Sequence, residues 1–210
     1  HYLSASVRGY MMRPIASSCI YPRWGISFES GFNASIESHS LFSPMGYLYC
    51  YGYIPGIVRE HGMRISATYQ KRLFKDSPVG QPFVNVLPRG YSDNPEIASW
   101  VALMKNNPVR VSMDYAVPVY IGDIRIGGNI LAVKRLNLTP HFDYSFLDEN
   151  GLWSAGLDLT LDLEAIMTFE WPCTIGLTCS YNGGSALDEI NQYGIQYKRW
   201  SIGPAFNVSF

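Results

Sequence analysis

The chain has 210 residues, a net charge of −1 and a pI near 6.5, which suits one domain or one β-barrel and offers no basic field to nucleic acid. Charged residues make up only 16 % while aromatics reach 14 % and glycines number 19; about 25 % charged is usual in soluble globular chains. No apolar run reaches the roughly 18 residues that a membrane-spanning helix requires.

The chain opens with HYLSASVRGY, a strand-like segment with neither a basic n-region nor an apolar h-region. A signal peptide is therefore expected to be absent or already removed, and the chain to be a mature product or a piece of something longer. Residues 24–34 place apolar side chains mostly on even positions, and residues 63–70 on odd ones. Residues 45–54, MGYLYCYGYI, predict a strand with less clean alternation. Residues 95–105 suit one or two helical turns. Residues 109–117 return to odd-position alternation, and 128–144 predict a further strand.

The cleanest pattern is residues 153–164, WSAGLDLTLDLE: every odd position is apolar and every even one small, hydroxylic or acidic. A period of two means a strand with one apolar and one polar face. The pattern resumes over 167–181 and, on even positions, over 200–210. Turn signals at Ser43-Pro44, at 148–151 (DENG) and at 182–185 (NGGS) separate the strands. The expectation is nine or ten strands, no amphipathic helix, no second domain, and an antiparallel meander.

Cys19, Cys50, Cys173 and Cys179 have no metal-site spacing, and an extended strand holds Cys173 and Cys179 too far apart to bond. They read as small hydrophobes. His1, His39, His61 and His141 are scattered and predict no metal site, and no cofactor is expected.

Two all-β architectures fit a period of two: a soluble sandwich and a transmembrane barrel. Expected strands of roughly 10–14 residues exceed the 5–6 usual in sandwiches and meet the 9–11 needed to cross a bilayer. Trp24, Tyr47, Trp153, Trp171, Tyr181 and Trp200 fall near strand ends, as interfacial girdles require. Asp114, Asp158, Asp162, Glu164 and Glu170 share the polar parity, acceptable in a wet lumen and costly in hydrocarbon. The barrel is the expectation.

The last segment resembles the carboxy-terminal assembly signal of outer-membrane barrels, with Ser201, Gly203, Phe206, Val208 and Phe210 at its marked positions; Val208 stands where a second aromatic is usual. Upstream, Leu87-Pro88-Arg89-Gly90-Tyr91 resembles the Arg-Gly-aromatic tip of the lumenal loop of BamA-type assembly and translocation proteins. That resemblance implies acids on following strands that anchor Arg89. Asp114, in an acid-x-x-x-Pro pattern, matches the first; Asp143, beside Phe142, matches the second loosely; and Ser154-Ala155-Gly156 matches a segment of the penultimate strand. Val7-Arg8-Gly9-Tyr10 has the same tip pattern without acid-bearing strands behind it. Residues 53–56 and 61–63 are similar, more weakly, to barrels that follow a β-propeller.

The family's barrel has 16 strands, more than this chain can hold, so the resemblance implies the carboxy-terminal part of a larger barrel. It also implies a location in the bacterial outer membrane, with the bilayer and other outer-membrane or periplasmic proteins as partners. The functions expected are non-enzymatic assembly or translocation, a scaffolding or pore-forming barrel, or, on the soluble reading, a binding sandwich. The nearest Ser–His pair, Ser66 with His61, points to opposite sides of a strand and predicts no catalysis.

Overall fold

Alternation becomes sheet almost throughout the chain. The computed structural model describes residues 2–15, 19–35, 42–73, 79–80, 85–126, 131–166 and 173–208. The strands are β1 (Tyr2–Met12), β2 (Gly25–Ser35), β3 (Phe42–Ser43), β4 (Met45–Pro55), β5 (Gly62–Arg72), β6 (Val79–Gly80), β7 (Val109–Ile126), β8 (Leu131–Leu147), β9 (Asn150–Ile166), β10 (Cys173–Gly184) and β11 (Trp200–Val208). Nine of them form one antiparallel sheet in the order β1-β2-β4-β5-β7-β8-β9-β10-β11, a plain meander; β3 and β6 make a separate two-residue parallel pair. Among the described residues no ladder joins β1 to β11, so the sheet has two open edges.

The register carries each strand's parity to the next. Cys50 faces Phe28 and Ala67, Ala67 faces Val111, Val111 faces Tyr144, and Tyr144 faces Trp153. Leu157 then faces Cys179, and Cys179 faces Ile202. One face is thereby apolar from strand to strand, and much of it is bare: Phe28 is 47 % exposed, Leu159 43 %, Leu177 59 % and Ile202 73 %, whereas Val133, Leu163 and Cys173 are buried together. On the other face Ser112, Asp114, Asn137, His141, Asp143, Ser154, Ser180 and Asn182 are all buried. Apolar side chains are outside and polar ones inside, the inverse of a soluble domain.

An aromatic row crosses the bare face at one end. Phe142, Trp153, Tyr181 and Trp200 sit on β8 to β11 with successive ring centroids 6.5, 5.8 and 5.0 Å apart. Gly183 opposes Trp153, and the indole lies where a Cβ at Gly183 would be. Ring edges over glycine restore the packing that a strand loses there.

The larger hydrophobic core is small and lies at that same end, on the polar face. The connection from β5 to β7 returns over the sheet through a 3-10 turn at Arg89–Tyr91 and a helix, α1 (Pro95–Met104). Asn94 caps α1, accepting from the amides of Glu96 at 3.0 Å and Ile97 at 3.2 Å, and Pro95 holds the first helical position. Ile97, Trp100, Val101 and Tyr91 pack against Leu147 of β8, Leu152 of β9 and Ile190 of a second helix, α2 (Leu187–Gln192). Lys105 ties the helices together, bonded to Glu189 at 2.8 Å and lying 4.7 Å from the Trp100 ring centre.

Several expectations change. α1 has ten residues, nearly three turns, and α2 was not expected. β7, β8 and β9 have 18, 17 and 17 residues, beyond the expected length, with register shifts between Pro118 and Tyr120 and between Ile121 and Ile124. Pro118 has no amide to give a ladder, which suits the shift beside it. β10 and β11 both follow β9, so Ser154-Ala155-Gly156 lies on the third strand from the end rather than the penultimate one. Glu164 lies past another register shift, 58 % exposed and 4.0 Å from Lys134, apart from the Asp158–Asp162 row. Trp171, Glu170 and Phe210 lie outside the described residues.

Candidate functional site

Arg89 reaches the polar face because the chain before it is pinned there. Ser145 on β8 donates to the Val86 carbonyl at 2.6 Å, and Val86 and Leu87 are buried in the small core. Pro88, extended at φ −58° and ψ 151°, then delivers the 3-10 turn. The guanidinium lands among carboxylates from three successive strands. Its Nε donates to Asp143 Oδ2 at 3.0 Å, and its backbone amide donates to the same oxygen at 3.1 Å. Its Nη2 donates to Asp143 Oδ1 at 3.3 Å and pairs with Asp114 Oδ1, while Nη1 lies 3.5 Å from Asp158 Oδ2. Burial opposes the charge on Arg89, but Asp114 and then Asp143 hold the guanidinium above its ordinary value. A planar fork suits this spread of acceptors; a lysine ammonium is a point charge and does not.

Gly90 and Tyr91 are held as firmly. Asn182 on β10 donates to the Gly90 carbonyl at 3.1 Å and to the Lys198 carbonyl at 3.0 Å. A Cβ on Gly90 would overlap the Asn182 carboxamide, so only glycine allows this approach. Tyr91 is 1 % exposed, and its hydroxyl donates to the Gly183 carbonyl at 3.2 Å. Burial pushes the phenol above its ordinary range and keeps it a neutral donor.

Arg89 is thus held by β7, β8 and β9, and Gly90 and Tyr91 by adjacent residues of β10. Gly90→Ala is expected to cost about 1–3 kcal/mol through overpacking, read as a lower urea midpoint of the detergent-folded protein. In an Asn182→Ala background the same change is expected to cost nothing further, because the two residues act as one contact.

Behind the acids lies a second set of partners. Arg110 on β7 donates to Asp143 Oδ1 at 3.2 Å, and Ser154 on β9 to Asp143 Oδ2 at 3.4 Å, so the fully buried Asp143 carboxylate serves two arginines. His141 Nδ1 lies 3.2 Å from Asp158 Oδ2, and its Nε2 lies 3.2 Å from Ser180 Oγ. Ser, His and Asp at such distances also make nucleophilic relays. Here Ser180 is 3 % exposed, and Asp158 also accepts from Thr178 and pairs with Arg89. The set is a hydrogen-bonded wall that supports the arginine from below.

Arg89, Gly90, Tyr91, Asp114 and Asp143 therefore come together. Asp158, Arg110, His141 and Asn182 join them without having been singled out as partners; polar parity next to a recognised acid was the one signal for Asp158 and His141. Arg8 of the other Arg-Gly-Tyr lies within β1, paired across the strands with Glu29. His61, just before β5, sits 3.0 Å from the Tyr115 hydroxyl, whereas Ser66 lies within β5. Ser201, Gly203, Phe206 and Val208 lie along β11, opposite Ser180, Thr178, Ile175 and Cys173, and Phe206 is 71 % exposed on the bare face.

No protein-family model matches the chain, and neither a curated protein nor a solved structure matches it.

Proposed function

We propose that the chain forms part of the wall of an outer-membrane β-barrel similar to the BamA type, non-enzymatic, serving protein assembly or polypeptide translocation. The observation that carries this reading is the Arg89 tip, folded onto the polar face and tied to acids on β7, β8 and β9. The bare apolar face supports a lipid surround, because large apolar side chains lie exposed on one strand after another, whereas soluble monomers rarely expose a contiguous apolar patch beyond a few hundred Å². From Trp153 to Leu161 the unburied part of the apolar stripe covers eight residue steps. At about 3.3 Å per residue and about 45° tilt this spans about 19 Å, most of the roughly 25 Å apolar band of such barrels.

In this setting the polar face is lumenal and the returning loop is an internal brace. The open edges of β1 and β11 become the seam, either closed by further strands of a larger barrel or left free to template an incoming strand. Gly203 contributes no side chain to that seam, and Gly194, at φ 70°, bends the chain leading into β11.

Depleting the protein from its host is expected to lower the folded, heat-modifiable fraction of other outer-membrane proteins. Unchanged levels, together with single-channel conductance in planar bilayers, would move the function to a pore; unchanged levels without conductance would move it to a scaffold.

A further inference from the structure

The polar face also holds a cavity that the brace does not use up. It measures about 410 Å³ and is bordered by Arg64 of β5, Arg110 of β7, Arg89 of the loop and Asp114. At about 30 Å³ per water it has room for about a dozen, and it falls in the range of small-ligand sites. The hydroxyls of Ser66 and Ser112 line it between the cations.

Charge on this wall is uneven. Arg89 and Arg110 have carboxylate partners, and Asp114 is neutralised by Arg89. Arg64 stands directly opposite Asp114 in the register, yet among the described residues no carboxylate lies within ion-pair distance of it. Its Nη2 donates to the Tyr49 hydroxyl at 2.6 Å, its guanidinium carbon lies 5.1 Å from the Tyr51 ring centre, and its Nε is buried without an acceptor. A partly buried guanidinium hydrogen-bonded to a phenol, with Asp114 acting on it only from beyond ion-pair distance, lacks a paired counter-ion.

We propose that this cavity binds a phosphate group. Guanidiniums from two strands and a loop, with hydroxyls between them, suit a doubly charged tetrahedral oxyanion, whereas a planar carboxylate is already served by one fork. The inference rests on the brace, since Arg89 forms one side of the cavity, but among the described residues Arg64 forms no ion pair with the acids that hold Arg89.

The test uses the protein folded in zwitterionic detergent, titrated calorimetrically with inorganic phosphate and with chloride at equal ionic strength. One saturable phosphate site and a raised thermal midpoint are expected, with neither in chloride. Arg64→Gln should weaken binding roughly tenfold or more, with Arg64→Lys in between, while heat-modifiable mobility on a gel stays unchanged. That pattern separates the cavity from the brace, whose failure would show as normal folding of an Arg89→Ala protein. Should Arg64→Gln not fold, Ser66→Leu fills the cavity without removing a charge and is expected to lose binding. Glycerol phosphate as a second ligand identifies the source: tighter binding than inorganic phosphate assigns a phosphorylated headgroup, and equal or weaker binding the free ion. An equal response to phosphate and chloride, or full binding by the folded cavity variant, would overturn the proposal.

Discussion

Arg89→Ala is expected to destabilise the folded protein by about 3–5 kcal/mol, the range for removing one partner of a buried ion pair. The cost arises from what remains. Asp143 has no solvent exposure and would keep only Arg110 as a cation, while Asp114 and Asp158 would lose their shared partner. Carboxylates from three neighbouring strands would then share the site without the charge that Arg89 places between them. Arg89→Lys restores a charge without the fork and should recover part of the loss. Urea midpoints in detergent and the yield of heat-modifiable protein measure both variants. Normal yield and midpoint in Arg89→Ala would remove the brace from the mechanism and leave the loop a passive cover.

The second large effect lies on the opposite face. Leu159, on β9 between Leu138 and Leu177, is 43 % exposed near the middle of the apolar stripe. If lipid surrounds it, Leu159→Arg should cost about 2–4 kcal/mol, as cations do at the bilayer mid-plane on barrel exteriors. If water surrounds it, the change should stay within about 0.5 kcal/mol, as for most surface substitutions. A midpoint indistinguishable from the parent protein would therefore count against the lipid surround.

Much of the sheet was legible because a period of two is a local property. Residues 153–164 show their two faces without reference to any neighbour, and each long strand repeats the pattern. The inter-strand register was not legible, because turn lengths and bulges set it. That is why Asp114 and Asp143 were tied to Arg89 through a resemblance, while Asp158, placed under the same arginine by the β8–β9 pairing, was not. Asn182 escaped for a different reason. It sits in an Asn-Gly-Gly sequence that reads as a turn, yet the strand continues through it and its side chain supports Gly90. The short α2 carries one buried residue, Ile190, too few to set a helical period. The register shift beyond Asp162 likewise separates Glu164 from acids with which it shares parity in sequence.

The environment of the apolar face can be read directly along β9. Single cysteines placed in turn at positions 157 to 162, in a background lacking the native cysteines, are labelled with an environment-sensitive fluorophore after reconstitution into vesicles. A quencher carried on lipid acyl chains is then compared with one confined to water. The expected result is alternation: Leu157, Leu159 and Leu161 positions quenched from the lipid, and Asp158, Thr160 and Asp162 positions beyond its reach. Absence of acyl-chain quenching at the three leucine positions would contradict the membrane wall.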